Sequence, residues 1–571
     1  MKQMITVFVF CIISQLLTAQ SVYELNTGRI KLPLDNRGVV GEVTVNGSSG
    51  VKYDGISTIY SSGFALSGMK NSTLWANGVM SAARVWDFIP GKAGTPFNDP
   101  KNRLYVVSLN DPAFGTSWQN WSDAVALGAR YWDGNNDGNY NPVDLNSNGK
   151  WDINEDMPEI LGEVSVWCIF NDAADTALRK FKDVLPMGIE VMQTVYAFPH
   201  SDVAEIRDAV FFRYEVKNTG SVVQDLSDMI FGMYSDTDLG NYADDLTGTD
   251  VARNSAYYYN RTPDSQFGNN PPAVFHSFLL GTPVFIPGET FTDNNNNGVY
   301  DPGTDIPLDS AVLHFGKPFA KQYVPGAKNS GVTGSIMFLS SHPTQGDFLT
   351  TSQLRNYMEG KRLSGDPMDP CNWQWGEVRG GVPCAGIDNR LIYSGDPVAN
   401  TGWIDNHLAD KRNIVSSGRF DLSAGNTATF HTGLIIGRGS DQFNSITVTR
   451  AAYDTILNRV HLGTADVPLG IEETAGTLPR GFTLEQNHPN PFNPETVIRY
   501  SLPARGSAIS GYAKGVVYDI LGREVATLID GETAAGSHQL KFNAAGLPSG
   551  VYIFRLETAN HSAAIKMVVN K

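Results

Sequence analysis

The sequence has few cysteines, few positive charges and no long apolar segment beyond its first residues. Only 4 cysteines occur in 571 residues, and 43 lysines and arginines face 59 aspartates and glutamates, for a net charge of −16. This balance argues against nucleic-acid binding, because a phosphate backbone requires a basic surface. No later stretch is long and apolar enough to span a bilayer, so we expect no transmembrane segment in the mature chain.

The common catalytic motifs are also missing. The chain has no His-Glu-x-x-His zinc helix, no Gly-x-Ser-x-Gly elbow and no P-loop. Its ten histidines are scattered, and we expect His200, His276, His314 and His342 to be structural. The sequence therefore favours no enzyme class, although a carboxylate pair for glycoside hydrolysis stays open, because such partners meet in space and not in sequence.

The composition is that of folded β-rich material. Hydrophobic residues make up 41% of the chain, and 57 glycines and 30 prolines indicate many turns. The clearest strand is Ala209–Asn218, where Val210 and Phe212 alternate with Phe211 and Arg213, as in a half-buried strand. Its predicted partners are residues 190–197, 228–234, 335–340 and 427–437. We expect an all-β fold of several β-sandwiches, with helices only at 445–460 and, briefly, at 173–182.

The chain divides into segments of distinct character. Residues 1–20 are typical of a secretory signal, with Lys2, an apolar core and a small residue before the cleavage site. The remaining predicted boundaries are an N-terminal β region (21–130), tandem calcium-binding loops (131–160), a main β-sandwich region with a terminal helix (161–465), a linker (466–480) and a C-terminal domain (481–571).

Three short acidic loops have the spacing of calcium ligands. Such a loop supplies oxygens from positions 1, 3, 5, 7, 9 and 12, with glycine at position 6 for a sharp turn. The predicted ligands are Asp133, Asn135, Asp137, Asn139, Asn141 and Asp144 in loop 1; Asp144, Asn146, Asn148, Lys150, Asp152 and Glu155 in loop 2; and Asp293, Asn295, Asn297, Val299, Asp301 and Asp305 in loop 3. Position 7 contributes its backbone carbonyl, and loops 1 and 2 share Asp144.

The third loop departs from the pattern, because Thr304 stands at position 12 and Asp305 follows it. Each loop carries an aromatic residue at position 8, namely Tyr140, Trp151 and Tyr300. The alternative is a solvated Asn/Asp/Gly turn, since these residues favour turns in any case. The loops resemble the calcium loops of dockerins and thrombospondin type 3 repeats, and we expect Ca²⁺ in a structural role.

A further acidic stretch contains Asp236, Asp238, Asp244, Asp245 and Asp250 without regular ligand spacing. It fits either another calcium site or a solvated loop. Cys371 and Cys384 bracket a glycine-rich segment and are predicted to form a disulfide, with two free thiols as the alternative. Cys168 is predicted to be a buried hydrophobic residue.

The last 91 residues carry four ordered segments, Pro489–Pro494, Tyr518–Val525, Gly550–Tyr552 and Lys566–Val568. With these segments the domain resembles the type A C-terminal sorting domain of the bacterial type IX secretion system. The resemblance implies an Ig-like β fold, contact with the type IX secretion machinery, and passage through the periplasm to the outer cell surface. It also implies attachment to surface lipopolysaccharide, or release.

The sequence thus predicts a secreted or cell-surface, calcium-stabilised β protein with a structural or interaction role. One alternative is an exported hydrolase acting on polysaccharide or protein. The other is a carbohydrate-binding protein, for which the aromatic segments Trp118–Trp121, Tyr257–Tyr259 and Trp373–Trp375 are the candidate sugar platforms.

Overall fold

The computed structural model describes residues 21–80, 87–182, 184–462, 482–484, 486–487, 489–502, 510–534, 536–558 and 562–570. The predicted signal peptide and the predicted linker lie outside these residues. Contacts between residues divide the chain into two units, Met1–Gly470 and Ile471–Lys571.

The first unit is built from many short strands, as its frequent turn residues predict. The strands are β1 (Val22–Thr27), β2 (Ile30–Asp35), β3 (Val51–Tyr53), β4 (Ile56–Ile59), β5 (Ser61–Lys70), β6 (Thr73–Val79), β7 (Ile89–Pro90), β8 (Tyr105–Ser108), β9 (Tyr131–Trp132), β10 (Met157–Pro158), β11 (Val164–Asn171), β12 (Ile189–Ala197), β13 (Ala209–Asn218), β14 (Asp225–Thr237), β15 (Asp245–Asp250), β16 (Ser255–Asn260), β17 (Ala273–Leu280), β18 (Pro283–Val284), β19 (Phe291–Thr292), β20 (Ile306–Pro307), β21 (Ser310–Leu313), β22 (Gln322–Pro325), β23 (Lys328–Asn329), β24 (Val332–Leu339), β25 (Gly376–Arg379), β26 (Gly402–Asp405), β27 (Lys411–Ser423) and β28 (Thr427–Gly437). The helices are α1 (Thr116–Leu127), α2 (Ala204–Arg207), α3 (Thr351–Met358) and α4 (Gln442–Ile456), with 3₁₀ turns at Val251–Arg253 and Cys384–Gly386 and a π-helical turn at Leu457–His461.

Two antiparallel sheets form the body of this unit. The larger has the order β15-β16-β17-β28-β13-β12-β11-β7, with β8 also paired to β11, and the smaller has the order β24-β27-β14-β5-β6. Strands β5 to β8 come from the predicted N-terminal β region; β5 pairs with β14 and β6, and β7 and β8 pair with β11. The N-terminal region therefore contributes strands to both sheets of the body.

The main core lies between these two sheets. Phe231 of β14 stacks on Phe430 of β28 with ring centroids 4.3 Å apart, and Phe64 of β5 lies 5.6 Å from Tyr214 of β13. These side chains are at most a few percent exposed and belong to one continuous apolar cluster. Aromatic rings of this size supply much of the buried apolar surface that stabilises such a core. The predicted all-β fold class is confirmed.

Strand β13 has the predicted bounds but not the predicted exposure. Val210, Phe212 and Tyr214 face the main core, while Phe211 packs into a second apolar cluster on the opposite face. On that second face Arg213 is 2% exposed and is bonded to Glu159 at 2.6 and 2.8 Å. The expectation of a half-buried strand was wrong. Both faces of β13 are buried, because the ion pair with Glu159 keeps the charge of Arg213 paired inside the protein.

One of the two predicted helices forms, and the other does not. The predicted helix at 445–460 forms as α4 and continues through the π-helical turn, with Asp441 accepting from the N–H groups of Phe443 and Asn444 as its N-cap. No helix forms at residues 173–182. There the buried Arg179 donates to the carbonyls of Asp172, Ala174 and Val184. These carbonyls are therefore bonded to a guanidinium group and not to the backbone N–H groups of a helix.

The second unit contains β29 (Thr483–Leu484), β30 (Glu495–Leu502), β31 (Ser510–Asp519), β32 (Glu524–Ala534), β33 (Gly536–Asn543), β34 (Gly550–Thr558) and β35 (Ser562–Val569). They form two antiparallel sheets with the orders β29-β30-β33 and β32-β31-β34-β35. Residues from both sheets, including Ile498, Phe542, Phe554 and Met567, share one buried cluster. The unit is a small β domain with its own core.

Candidate metal centres

The three acidic loops sit in two insertions of the same design. Loops 1 and 2 fill the connection between β9 and β10, where Trp132 pairs with Met157. Loop 3 fills the connection between β19 and β20, where Thr292 pairs with Ile306. In both insertions the first acidic residue directly follows one strand, and the last directly precedes its partner. A two-residue ladder therefore fixes the two ends of each acidic insertion.

The side chains at positions 1, 3 and 5 turn inward in the same way in every loop. Position 1 accepts from the backbone N–H groups of positions 5 and 6, position 3 from that of position 5, and position 5 from that of position 7. These bonds involve Asp133, Asn135 and Asp137 in loop 1; Asp144, Asn146 and Asn148 in loop 2; and Asp293, Asn295 and Asn297 in loop 3. Three separate stretches of sequence thus adopt one local structure.

The backbone angles show the same repetition. Position 4 has a positive φ in each loop, at Asn136 (58°), Ser147 (59°) and Asn296 (57°), and position 6 has one at Gly138 (78°), Gly149 (75°) and Gly298 (78°). A Cβ added at these glycines would meet no atom within 4 Å. Glycine is therefore required at position 6 by the backbone angle and not by lack of space.

A buried carboxylate closes each loop by accepting from the N–H groups of positions 2 and 9. Glu155 accepts from Leu145 (2.6 Å) and Asp152 (2.9 Å) in loop 2. Asp305 accepts from Asn294 (2.9 Å) and Asp301 (2.7 Å) in loop 3. Both closing residues are at most 6% exposed, although the loops around them lie on the surface. In loop 3 the closing residue is Asp305 and not Thr304 at position 12. This shift by one residue leaves the two closing hydrogen bonds unchanged.

Loop 1 is closed by Asp156, which the sequence reasoning missed. Asp156 accepts from the N–H of Gly134 at 3.0 Å and from that of Asn141 at 2.7 Å, which are positions 2 and 9 of loop 1. The predicted closing residue, Asp144, instead accepts from Asn148 and Gly149 as position 1 of loop 2. Loop 2 is therefore nested inside loop 1. The signal in the sequence is Asp156 itself, which precedes β10 just as Asp305 precedes β20.

Position 9 completes the inward-facing set in two of the loops. Asp152 accepts from the amide groups of Asn146 and Asn148, both at 2.8 Å. Asp301 accepts from Asn295 and Asn297, both at 2.7 Å. In loop 1 this position is Asn141, and the amide of Asn135 bonds to Asp137 instead, at 3.1 Å. In loops 2 and 3, therefore, the side chains at positions 3, 5 and 9 are in direct contact.

The residues at position 8 attach the loops to the body. Tyr140 donates to the carbonyl of Trp118 in α1 at 2.9 Å. Trp151 donates to the carbonyl of Glu155 at 2.9 Å and packs against the cluster around α1. Tyr300 stacks on Phe285, with ring centroids 5.6 Å apart. The order of each loop is therefore coupled to its neighbouring core.

The donor set suits a hard cation. Its side chains are carboxylates and amides, with backbone carbonyls available from Asn139, Lys150 and Val299, and no thiol or imidazole takes part. Negative charge is concentrated in loop 1, where burial first, and then Asp133 and Asp137, raise the pKa of Asp156. A bound divalent cation would offset this repulsion.

The predicted acidic stretch at 236–250 does not form one cluster. Asp250 is bonded to Arg450 at 2.8 Å, and Asp245 is buried on β15. Asp236 and Asp238 instead meet Asp410, and an oxygen of each lies within 4.8 Å of the others. Burial raises the pKa of Asp236 to about 7 and that of Asp238 to about 6, and Arg412, 2.9 Å from Asp236, opposes the shift.

Three histidines that the sequence showed as scattered lie together. The rings of His314, His431 and His461 have centroids 5.3–5.7 Å apart, and the hydroxyl of Tyr196 lies 2.9 Å from His461 Nε2. Burial lowers the pKa of His314 to about 3. Among the described histidine, cysteine and acidic side chains, only the Asp236–Asp238–Asp410 group brings three ligand atoms within 4.8 Å. The three imidazoles are therefore buried neutral side chains and not a preformed metal site.

The candidate sugar platforms of the sequence are buried. Trp118 and Trp121 lie on the buried face of α1, Tyr257 and Tyr259 lie within β16, and Trp373 and Trp375 are at most 9% exposed. The structure joins Cys371 and Cys384 in a disulfide, and Cys168 is a buried free thiol.

In the second unit the Pro489–Pro494 segment binds the last strand. Phe492 donates to the carbonyl of Val568 at 2.9 Å and accepts from Asn570 at 3.0 Å. The side chain of Asn490 accepts from Val568 at 2.7 Å and donates to the carbonyl of Lys566 at 3.0 Å. Two of the segments that carry the family resemblance, at opposite ends of the domain, are therefore parts of one contact.

Residues 487–570 match the family described as secretion system C-terminal sorting domain. The chain is thus a type IX secretion cargo, and its sorting domain implies contact with that machinery and export to the cell surface or beyond. Within the described residues, no helix has the length and apolarity to cross a membrane.

Similarity elsewhere is slight. No curated protein sequence matches the chain. A solved structure of a polysaccharide lyase aligns with 67% of this chain at 7% identity and a TM-score of 0.17, a score that carries no argument about fold or activity. The chain spans about a third (34%) of the length of that lyase.

Proposed function

We propose that this chain is a secreted or surface-displayed β protein whose long loops are stabilised by calcium, and that it serves a structural or interaction role. One loop structure occurs three times, and each time a buried carboxylate closes the loop by accepting from the N–H groups of positions 2 and 9. This recurrence is the observation that carries the proposal. Turn propensity alone explains an isolated Asx turn, but it does not explain a matching buried acid 10 to 22 residues away.

Calcium fits better than magnesium. Calcium accepts six to eight oxygens in a flexible cage, whereas magnesium demands a near-ideal octahedron of shorter bonds. The loops offer carboxylate and amide oxygens at positions 1, 3, 5 and 9, a carbonyl at position 7 and the closing carboxylate. Asparagine replaces aspartate at several positions, which lowers the ligand charge and fits an affinity of about 10⁻⁴–10⁻³ M, typical of extracellular modules.

The physical effect would be linkage between calcium binding and folding. At about 10 mM free calcium, each such site stabilises the native state by about 1.4–2.7 kcal/mol. Because Tyr140, Trp151 and Tyr300 pack against the body, that stabilisation extends beyond the loops themselves.

Calorimetric melting with calcium, with magnesium and with excess chelator tests the proposal. We expect chelation to lower the melting temperature, calcium to restore it and magnesium to restore it poorly. Equilibrium dialysis is expected to give three ions per chain. Terbium luminescence sensitised by the aromatic residues at position 8 would then report the loops, and the part of the signal that is lost in Trp151→Phe is assigned to loop 2. An unchanged melt in excess chelator contradicts the proposal.

A second candidate function, carbohydrate binding, is favoured by one groove. It has a volume of about 820 Å³ and is lined in part by Ser227, Asp228, Phe285, Arg419, Asp421 and Asn426. Phe285 is 45% exposed and stacks on Tyr300 of loop 3, so it presents an aromatic face beside polar side chains. Both oxygens of Asp228 already accept from arginines, Arg355 and Arg419, which favours binding over hydrolysis here.

Titration calorimetry with a panel of soluble oligosaccharides tests this second function. Phe285→Ala is expected to abolish the heat of binding, because stacking on the sugar ring is lost. Phe97→Ala is the control, since Phe97 is 52% exposed and does not line the groove. Equal binding by the two variants, or none by the wild type, contradicts it.

A further inference from the structure

A lysine and an aspartate are buried together, in direct contact, away from the acidic loops. Lys411 opens β27, Asp405 ends β26, and both side chains are 0% exposed. Lys411 Nζ lies 2.5 Å from Asp405 Oδ2 and also donates to the carbonyls of Asp245 (3.1 Å) and His407. Asp405 Oδ2 accepts in addition from the N–H of Thr247 at 2.9 Å. Water is excluded from this contact.

A second acid stands beside the pair. Asp245 is 0% exposed, and its Oδ2 accepts from the N–H of Leu239 at 3.1 Å. Burial raises the pKa of Asp405 and of Asp245 and lowers that of Lys411, while the charge of Asp245 acts on Lys411 in the opposite sense. The neutral amine and the neutral carboxyl groups are therefore favoured relative to their forms in water.

We propose that Lys411 Nζ and Asp405 Cγ condense after folding into an intramolecular amide, an isopeptide bond between the end of β26 and the start of β27. The lone pair of Nζ attacks Cγ and forms a C–N bond. The C–OH bond of the carboxyl group breaks, and one water leaves with a proton from the amine. No oxidant or other reactant is needed.

The geometry is suited to the attack. Because a C–O bond of this kind is about 1.2 Å long, an Nζ to Oδ2 distance of 2.5 Å places Nζ no further than about 3.7 Å from Cγ. This is close to the separation of about 3–3.5 Å at which reacting atoms are held in efficient intramolecular reactions. Such positioning reaches effective concentrations of about 10⁵–10⁸ M. The absence of solvent also protects the product from hydrolysis.

Mass spectrometry of the full-length protein tests the proposal directly. After reduction of the disulfide, the intact mass is expected to be lower than the sequence mass by one water. Trypsin is expected to leave the bond after Lys411 uncut, and the peptide is expected to lack backbone fragments between Asp405 and Lys411. A cyclic imide at Asp405 would also lose water, but it would leave Lys411 open to trypsin.

Variants make the assignment specific. Asp405→Asn would form the same amide by loss of ammonia, so its mass is expected to converge on that of the wild type. Lys411→Arg and Asp405→Ala are expected to keep the full mass. The reaction involves no calcium, so the result is expected to be the same in excess chelator. A wild-type protein of full mass, with Lys411 cleaved by trypsin, overturns the proposal even if a variant fails to fold.

Discussion

Asp156 Oδ1 accepts a hydrogen bond from the backbone N–H of Gly134 at 3.0 Å, across 22 residues of chain. Its other oxygen accepts from Asn141, so one buried carboxylate ties the start of loop 1 to its ninth position. Loop 2 lies between these points and is closed separately by Glu155. The tandem pair is therefore one insertion in which Asp156 fixes the outer loop and Glu155 the inner one.

The first prediction concerns that outer carboxylate. Asp156→Asn keeps the size of the side chain, but it removes a charge and turns one acceptor into a donor facing a backbone N–H. We expect calcium affinity at loop 1 to fall by about 10–100-fold, as for other groups that orient a metal site. Titration calorimetry on the variant measures this. Asp202→Asn, at an exposed position, is the matched control, and equal affinities in the two variants would contradict the role of Asp156.

Much of this arrangement could be predicted from the sequence. The spacing of acidic and amide residues around Gly138, Gly149 and Gly298 singles out positions 1 to 9, whose hydrogen bonds span at most six residues. That these positions hold calcium stays a prediction. Strand β13 was likewise predicted with its observed bounds, since alternation of apolar residues is a local signal. Local periodicity and turn chemistry therefore carry most of what the sequence reveals.

The parts that escaped prediction depend on distant contacts. No local feature of the sequence identifies Asp156 as the partner of Gly134. The twelve-residue spacing of a calcium loop points to Asp144 instead. The burial of Arg213 requires Glu159, 54 residues earlier in the chain. Helix α1 was missed because residues 21–130 were assigned by their short alternating runs, while Trp118 and Trp121 pack against Trp167 and Tyr105. Tertiary packing decides each of these cases.

The second prediction separates two neighbouring residues of loop 3. Asp305→Ala removes the carboxylate that accepts from Asn294 and Asp301, so we expect loss of calcium at this loop and a lower melting temperature in calcium. Thr304→Ala alters an exposed side chain at the formal position 12 and is expected to leave both unchanged. Equilibrium dialysis would give about two ions per chain for Asp305→Ala and three for Thr304→Ala. The reverse result would show that Thr304, and not Asp305, supplies the ligand.

The third prediction concerns the disulfide. Cys371 and Cys384 are separated by 13 residues, and closing a loop of this size stabilises the native state by about 3 kcal/mol in the chain-entropy model. The double variant Cys371→Ser/Cys384→Ser is therefore expected to unfold at a lower denaturant concentration than the wild type. Adding reductant to the wild type is expected to reproduce the loss and to leave the double variant unaffected. A reductant effect of equal size on both proteins would point to another cause.

The last prediction concerns pH and a buried histidine. His276 lies in β17, is 5% exposed, and burial lowers the pKa of its imidazole to about 4, below the ordinary value of 6.5. Between these two values the unfolded chain binds a proton that the native state does not. The free energy of unfolding contributed by this group is therefore fully present above pH 6.5 and is lost as the pH falls towards 4.

The variant His276→Leu removes that proton linkage. Between pH 7.5 and pH 5, the wild type is expected to lose about 2 kcal/mol more stability than the variant. Denaturant unfolding of both proteins at the two pH values measures the difference, with calcium kept saturating so that titration of the acidic loops contributes equally. The effect of the leucine on packing is the same at both pH values. Only the change in the stability difference between wild type and variant therefore reports the titration of the imidazole. A gap that stays constant between the two pH values would show that His276 is protonated as readily in the native state as in the unfolded chain.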